Sequence, residues 1–163
     1  MRDDDRVSEA FFQDTLDALV GFLPDTLANF EHRVHHRGLK VWFGDATNPA
    51  KEHYEAQEVG RYLDPDRTEH FGRALEIGFH AEHGDPARNA AVVEHLLRTQ
   101  KTWRKRLGAE ADAGFFVGDA SQTWQRVSEF WSGPEIDEPD AAIEAADRLA
   151  TYIAALEPVR TKR

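Results

Sequence analysis

Apolar side chains recur at helical spacing near the start of the chain. Phe11, Phe12, Leu16, Leu19, Val20 and Leu23 form one stripe, which predicts a helix from Ser8 to about Ala28. Ser8 suits the N-cap, and Glu9 puts negative charge in the first turn. Gly21 and Pro24 predict a kink or break within it. The next stretch carries two readings. Either His35-His36-Arg37-Gly38 closes a hairpin between residues 29–34 and 39–44, or the helix runs to His36 and Gly38 ends it. Residues 39–43 are strand-like in both.

Two-residue alternation then takes over. Residues 53–63 alternate loosely and 73–83 alternate well, with the turn Asp64-Pro65-Asp66 between them. In the second run Leu75, Ile77, Phe79 and Ala81 face one way; Ala74, Glu76, Gly78, His80 and Glu82 face the other. A second helix is predicted from the cap Asp85, with Pro86 at its first position. It buries Val92, Val93, Leu96, Trp103 and Leu107, and Gly108 stops it. Short strands are expected near Gly114–Gly118 and Thr123–Trp131, with a break at Gly133-Pro134. A last helix starts near Pro139-Asp140 and sets Ile143, Ala146, Leu149, Ile153 and Leu156 on one face. Glu144 and Arg148 would pair along it, and Pro158 would end it.

This order, α-β(3-4)-α-β-β-α, predicts an α+β fold: a largely antiparallel sheet of five to six strands with helices packed on one face. Residues 1–163 read as one domain, with 1–7 expected to be a disordered tail and 159–163 a frayed one.

Composition narrows the chemistry. The chain has no cysteine, so disulfides, thiolate zinc sites and cysteine nucleophiles are excluded. The charged start has no apolar stretch of a secretory signal behind it, and no apolar run is long enough to span a bilayer. A cytoplasmic protein without membrane association is the expectation. The formal net charge of −10 argues against nucleic acid as a partner, because phosphate neutralisation supplies most of that affinity. Eight histidines single out pH switching and metal binding as chemistries to follow.

The run Leu75-Glu76-Ile77-Gly78-Phe79-His80 leads through Asp85 and Asn89 into a helix bearing Leu96, Lys101 and Arg104 and closing with Leu107-Gly108. From Ala74 to Trp131 this resembles a small uncharacterised domain family, found alone or appended to restriction-endonuclease-like proteins. The resemblance implies an α+β architecture and carries no activity with it.

Four groups of residues could carry function. If the strands form a meander, Glu76, His80 and Glu82 share a sheet face with His53, Glu55 and Gln57, and Lys40 and Trp42 lie alongside. Trp124 and Arg126 share a parity that brings them to the same face. Imidazoles with carboxylates suit divalent metals, and paired carboxylates suit acid–base work. The triplet His32-x-x-His35-His36 would converge on a metal only if it is helical. Arg98, Lys101, Arg104, Lys105 and Arg106 make a basic patch suited to an anionic partner or to the helix dipole. Trp42, Trp103, Trp124, Trp131, Phe115, Phe116 and Phe130 could fill a core or wall a pocket.

Phosphate-loop, dinucleotide, nucleophile-elbow and His-Glu-x-x-His motifs are all missing. Glu55-Ala-Gln57 has the form of a nuclease carboxylate strand, with glutamine where a lysine would stand. The leading expectation is a non-catalytic module that binds a small molecule or protein through Glu55, Gln57, Glu76, His80, Trp124 and Arg126, without a cofactor. The rival is a divalent-metal-dependent hydrolase or nuclease using His53, Glu55, Glu76 and His80. A structural protein whose aromatics and basic helix end form a homodimer or partner surface is the third.

Overall fold

The computed structural model describes residues 7–44, 50–59, 74–117 and 121–162, with the side chains of 132–134 excepted. The expected Asp64-Pro65-Asp66 turn and the strand continuation to Leu63 lie outside these residues.

The opening stripe folds as α1 (Glu9–Phe22), where the Ser8 hydroxyl accepts the Phe11 N–H. It is shorter than the apolar pattern predicts. Pro24 cannot donate a helical hydrogen bond, so the chain leaves the helix at Leu23 and makes a 3-10 turn over Asp25–Leu27. Val7, expected in a disordered tail, is buried, and its N–H donates to Glu58.

The two readings of residues 29–37 resolve as a hairpin, β1 (Glu31–His35) and β2 (Gly38–Trp42). The helical alternative for His32, His35 and His36 is therefore overturned. Strand period sends His32 and His35 to opposite faces of the sheet.

With β3 (Glu52–Glu58), β4 (Ala74–Ala81), β5 (Asp112–Phe115) and β6 (Gln125–Ser132) these form a six-stranded antiparallel sheet, ordered β1-β2-β3-β4-β6-β5. The α+β class, with its helices against one sheet face, is as expected. Leu39, Val41, Tyr54, Ala56, Leu75, Ile77, Phe79 and Val127 turn inward and join α1 and the later helices in the main core.

The second predicted helix is two. α2 (Pro86–Arg98) starts at the Asp85 cap, and α3 (Gln100–Leu107) follows. They divide at Thr99, whose hydroxyl bonds back to the Leu96 carbonyl and whose φ and ψ of −100° and 11° leave the helix. β6 ends at Ser132, so the expected break falls at Gly133-Pro134, where the one-turn α4 (Gly133–Ile136) opens, since proline is tolerated in a first turn.

The last helix, α5 (Ala141–Arg160), corrects four further expectations. Ile143 is half exposed, and the buried stripe runs through Ala145, Ala146, Leu149, Tyr152, Ile153 and Leu156. Arg148 pairs with Glu129 on β6, at 2.6 Å, rather than with Glu144. Pro158 sits inside the last turn, and Arg160, expected to fray, is anchored to Glu157 at 2.6 Å and Glu52 at 3.3 Å. None of the helices of the described residues is long and apolar enough to cross a membrane.

Candidate functional site

The face of the sheet away from the helices is polar yet buried. His53, Glu55, Glu76, His80 and Ser128 are each at most 1% exposed. Cross-strand register explains the gathering. His53 lies opposite His80, and His80 opposite Arg126. The next row runs Arg33, Lys40, Glu55, Gly78, Ser128, Asp112 across all six strands. A third row places Gln57 beside Glu76 and Glu76 beside Phe130.

Four of these side chains converge on one point. One ligand atom each from His53, Glu55, His80 and Glu82 lies within 4.8 Å of the other three. His53 Nε2 is 3.3 Å from Glu55 Oε2 and 3.6 Å from Glu82 Oε1. His80 Nδ1 is 3.5 Å from the same Glu82 oxygen. Donors bound at roughly 2.0–2.2 Å to a tetrahedral ion stand about 3.3–3.6 Å apart, the range these separations occupy.

The outer nitrogen of each imidazole has an oxygen behind it, and that of His53 is hydrogen-bonded to it. His53 Nδ1 donates to the Ala50 carbonyl at 2.7 Å, so the proton of a neutral ring is on Nδ1 and the Nε2 lone pair points at two carboxylates. The Lys40 ammonium brings positive charge to the same two carboxylates, at 3.6 Å from Glu55 Oε2 and 3.4 Å from Glu82 Oε2. His80 Nε2 is 3.1 Å from Glu76 Oε1, and Glu76 in turn accepts from Ser128 Oγ at 2.6 Å and from Gln57 Nε2 at 3.2 Å. Neither nitrogen of His80 has an aligned hydrogen-bond partner among the described residues, although both are buried. The two rings stack with centroids 5.7 Å apart.

The imidazoles and carboxylates stabilise one another's charged forms. Burial alone would depress His80, but Glu76 overcomes it, aided by Glu82 and Glu55, and pushes the imidazole up to about 10. Burial would raise Glu55, yet His35, His53 and His80 hold it well below the usual carboxylate range. Glu82 is also lowered, its burial outweighed by His80 and His53.

Glu82 lies one residue beyond β4, and the loop holds it there. Its N–H donates to the Lys51 carbonyl. The buried Asn89 of α2 accepts the His83 N–H and donates to the carbonyls of His83 and Thr123. His83 Nε2 also meets Glu52 at 2.8 Å.

All the site residues expected from sequence lie on or beside this face, with different parts. Glu76 contacts His80 from outside the convergent four, and Glu82 takes the place expected of it. Gln57 bonds to Glu76. Arg126 bonds to Ser128 and Asp112 and lies 3.8 Å from Glu76. Trp124 precedes β6 and stacks on Phe116, whose ring packs at a steep angle to His80 with centroids 5.2 Å apart, so Trp124 stands one layer away. Sequence reasoning misses the parts that His35 and Ser128 play, which only the register reveals. Of the other aromatics, Trp42 and Trp103 are buried and Phe115 is exposed. The basic residues of α3 lie on the helix layer, with Arg104 held against Trp103 and the Ala111 carbonyl. No family model, no curated protein and no solved structure matches this chain.

Proposed function

We propose that the protein is a metal-binding module whose polar sheet face holds one divalent transition-metal ion of the zinc class through His53, Glu55, His80 and Glu82. The observation that carries this reading is the convergence of four donor atoms, from β3, β4 and the residue after β4, within 4.8 Å of one another, with three of their separations at 3.3–3.6 Å. The backing of His53 supports it further. Metal-bound imidazoles normally give their other nitrogen to a carbonyl or carboxylate, here the Ala50 carbonyl for His53, while the Glu76 carboxylate stands 3.1 Å from His80 Nε2. Two imidazoles and two carboxylates are a donor set suited to zinc, cobalt or manganese and poorly suited to copper(I).

The test is metal content by elemental mass spectrometry on protein purified without chelator, followed by cobalt(II) substitution. About one ion per chain is expected, with the visible bands of tetrahedral cobalt. His53→Ala and His80→Ala should each abolish that signal, while His36→Ala, at an exposed turn, keeps it. Glu76→Gln should retain the ion with about 10–100-fold weaker affinity, because Glu76 orients a ligand without being one. Folded wild-type protein that takes up no ion would sink the reading.

A further inference from the structure

The four donors are not equally deep. His53, Glu55 and His80 are sealed, whereas Glu82 keeps 13% of its side-chain surface. Lys40, which meets both Glu82 and Glu55, is 20% exposed, and His35, which meets Glu55, is 28% exposed. This corner is therefore the most open side of the four donors, and the Lys40 ammonium and the His35 imidazole line it.

Both groups are engaged by carboxylates that a metal would claim. Lys40 Nζ lies 3.6 Å from Glu55 Oε2 and 3.4 Å from Glu82 Oε2, its only ion-pair partners among the described residues. His35 Nδ1 accepts the Arg37 N–H, so the proton of the neutral ring is on Nε2. That buried Nε2 lies 3.8 Å from Glu55 Oε1 and has no hydrogen-bond partner among the described residues. A divalent ion bound by Glu55 and Glu82 neutralises both carboxylates and leaves Lys40 without a counter-charge. Arg33, directly across β1 from Lys40 and exposed, adds a further positive charge to the same row.

We propose that the metal-loaded site takes a small oxyanion, a phosphate or a carboxylate group, at this corner, held by the Lys40 ammonium and the His35 Nε2–H. The inference rests on the metal-binding reading. Metal and anion then bind in order: the ion converts a self-neutralised cluster into an anion receptor. Ammonium-to-oxyanion contacts of this kind are charge-assisted and stronger than neutral hydrogen bonds. The specificity is for charge and oxygen geometry, so chloride is a poor substitute.

The experiment uses the full chain, loaded with one equivalent of cobalt(II) or left metal-free. Each form is titrated with inorganic phosphate, acetate or chloride at constant ionic strength, by calorimetry and by the cobalt spectrum. Phosphate or acetate should bind the loaded protein at least about tenfold more tightly than the metal-free protein, and more tightly than chloride does. The stronger of the two distinguishes a tetrahedral from a planar ligand. Lys40→Met should weaken that binding by about tenfold while leaving cobalt uptake at one equivalent, and Lys101→Met on α3 should change neither. Cobalt uptake with no anion binding, or with binding that is indifferent to Lys40→Met, overturns the oxyanion proposal and leaves the metal site standing. No cobalt uptake at all overturns the metal reading and this inference with it.

Discussion

A single missing side chain decides how closely β4 and β6 can approach under the polar face. Gly78 sits between Glu55 and Ser128 in the central row, with φ at 157°. A Cβ there would lie 2.4 Å from the Val127 carbonyl oxygen and 2.6 Å from the Ser128 Cβ, both in the neighbouring strand. Backbone in a sheet cannot move aside cheaply. Gly78→Ala is therefore expected to cost about 2–3 kcal/mol, measured as a shift in the urea midpoint. A stability within about 0.5 kcal/mol of wild type would show that the strands are not so tightly apposed. At this scale much of the site is legible in the amino-acid order. Alternation alone puts Glu76, Gly78, His80 and Glu82 on one side of β4 and their apolar neighbours on the other. The choice between Glu76 and Glu82 as a fourth donor is not legible there. The two share a parity, and only the cross-strand register, with the Asn89 anchor behind the loop, brings Glu82 to His53.

At the level of elements, the helices show where pattern reading succeeds and where it stops. Hydrophobic spacing finds the apolar stripe of α2 and α3 but not their division at Thr99, because a hydroxyl that bonds back to a carbonyl leaves no trace in that spacing. In α5 the apolar spacing picks the wrong side of the first turn. Ala141 and Ala145 are buried there, whereas Ile143, well round the helix from both, is 51% exposed. Leu149, further along the helix, is fully buried in the main core. Leu149→Ala should thus cost about 2–5 kcal/mol, while Ile143→Ala stays within about 0.5 kcal/mol of wild type. Chemical denaturation of the two variants side by side checks this, and equal losses would contradict the placement of α5. The hairpin at residues 31–42 is ambiguous in sequence for a physical reason. Gly38 suits a helix end and a hairpin equally, and what selects the hairpin is its pairing with β3, a contact no local pattern encodes.

Across the whole molecule, two buried tyrosines fasten the last helix to the sheet. Tyr54 on β3 donates to Glu157 of α5 at 2.9 Å, and Tyr152 of α5 donates to Glu129 of β6 at 3.0 Å. Burial is the main reason both phenols are raised above the ordinary value, with their carboxylate partners adding to it. A raised pKa in the folded state means that the native protein holds these protons more tightly than the unfolded chain does. The resulting stability is fully present below about pH 10, the unfolded value, and is lost as pH climbs above it. In a titration followed by tyrosinate absorbance near 295 nm, at most one of the chain's three tyrosines should ionise near its ordinary value. The remaining signal should appear only together with unfolding seen by circular dichroism. Ionisation of all three in a still-folded protein would contradict the two fastenings. Tyr54 has a second significance. It is flanked by His53 and Glu55, so β3 carries the helix-side fastening and the polar cluster as alternate teeth of one comb. A slip of one position would press a carboxylate into oil and turn the phenol toward the imidazoles. Assembly of the interior thus proofreads assembly of the site. The chain cannot fold into a sound core around a scrambled cluster, and any lineage that remodels one must re-sort the other.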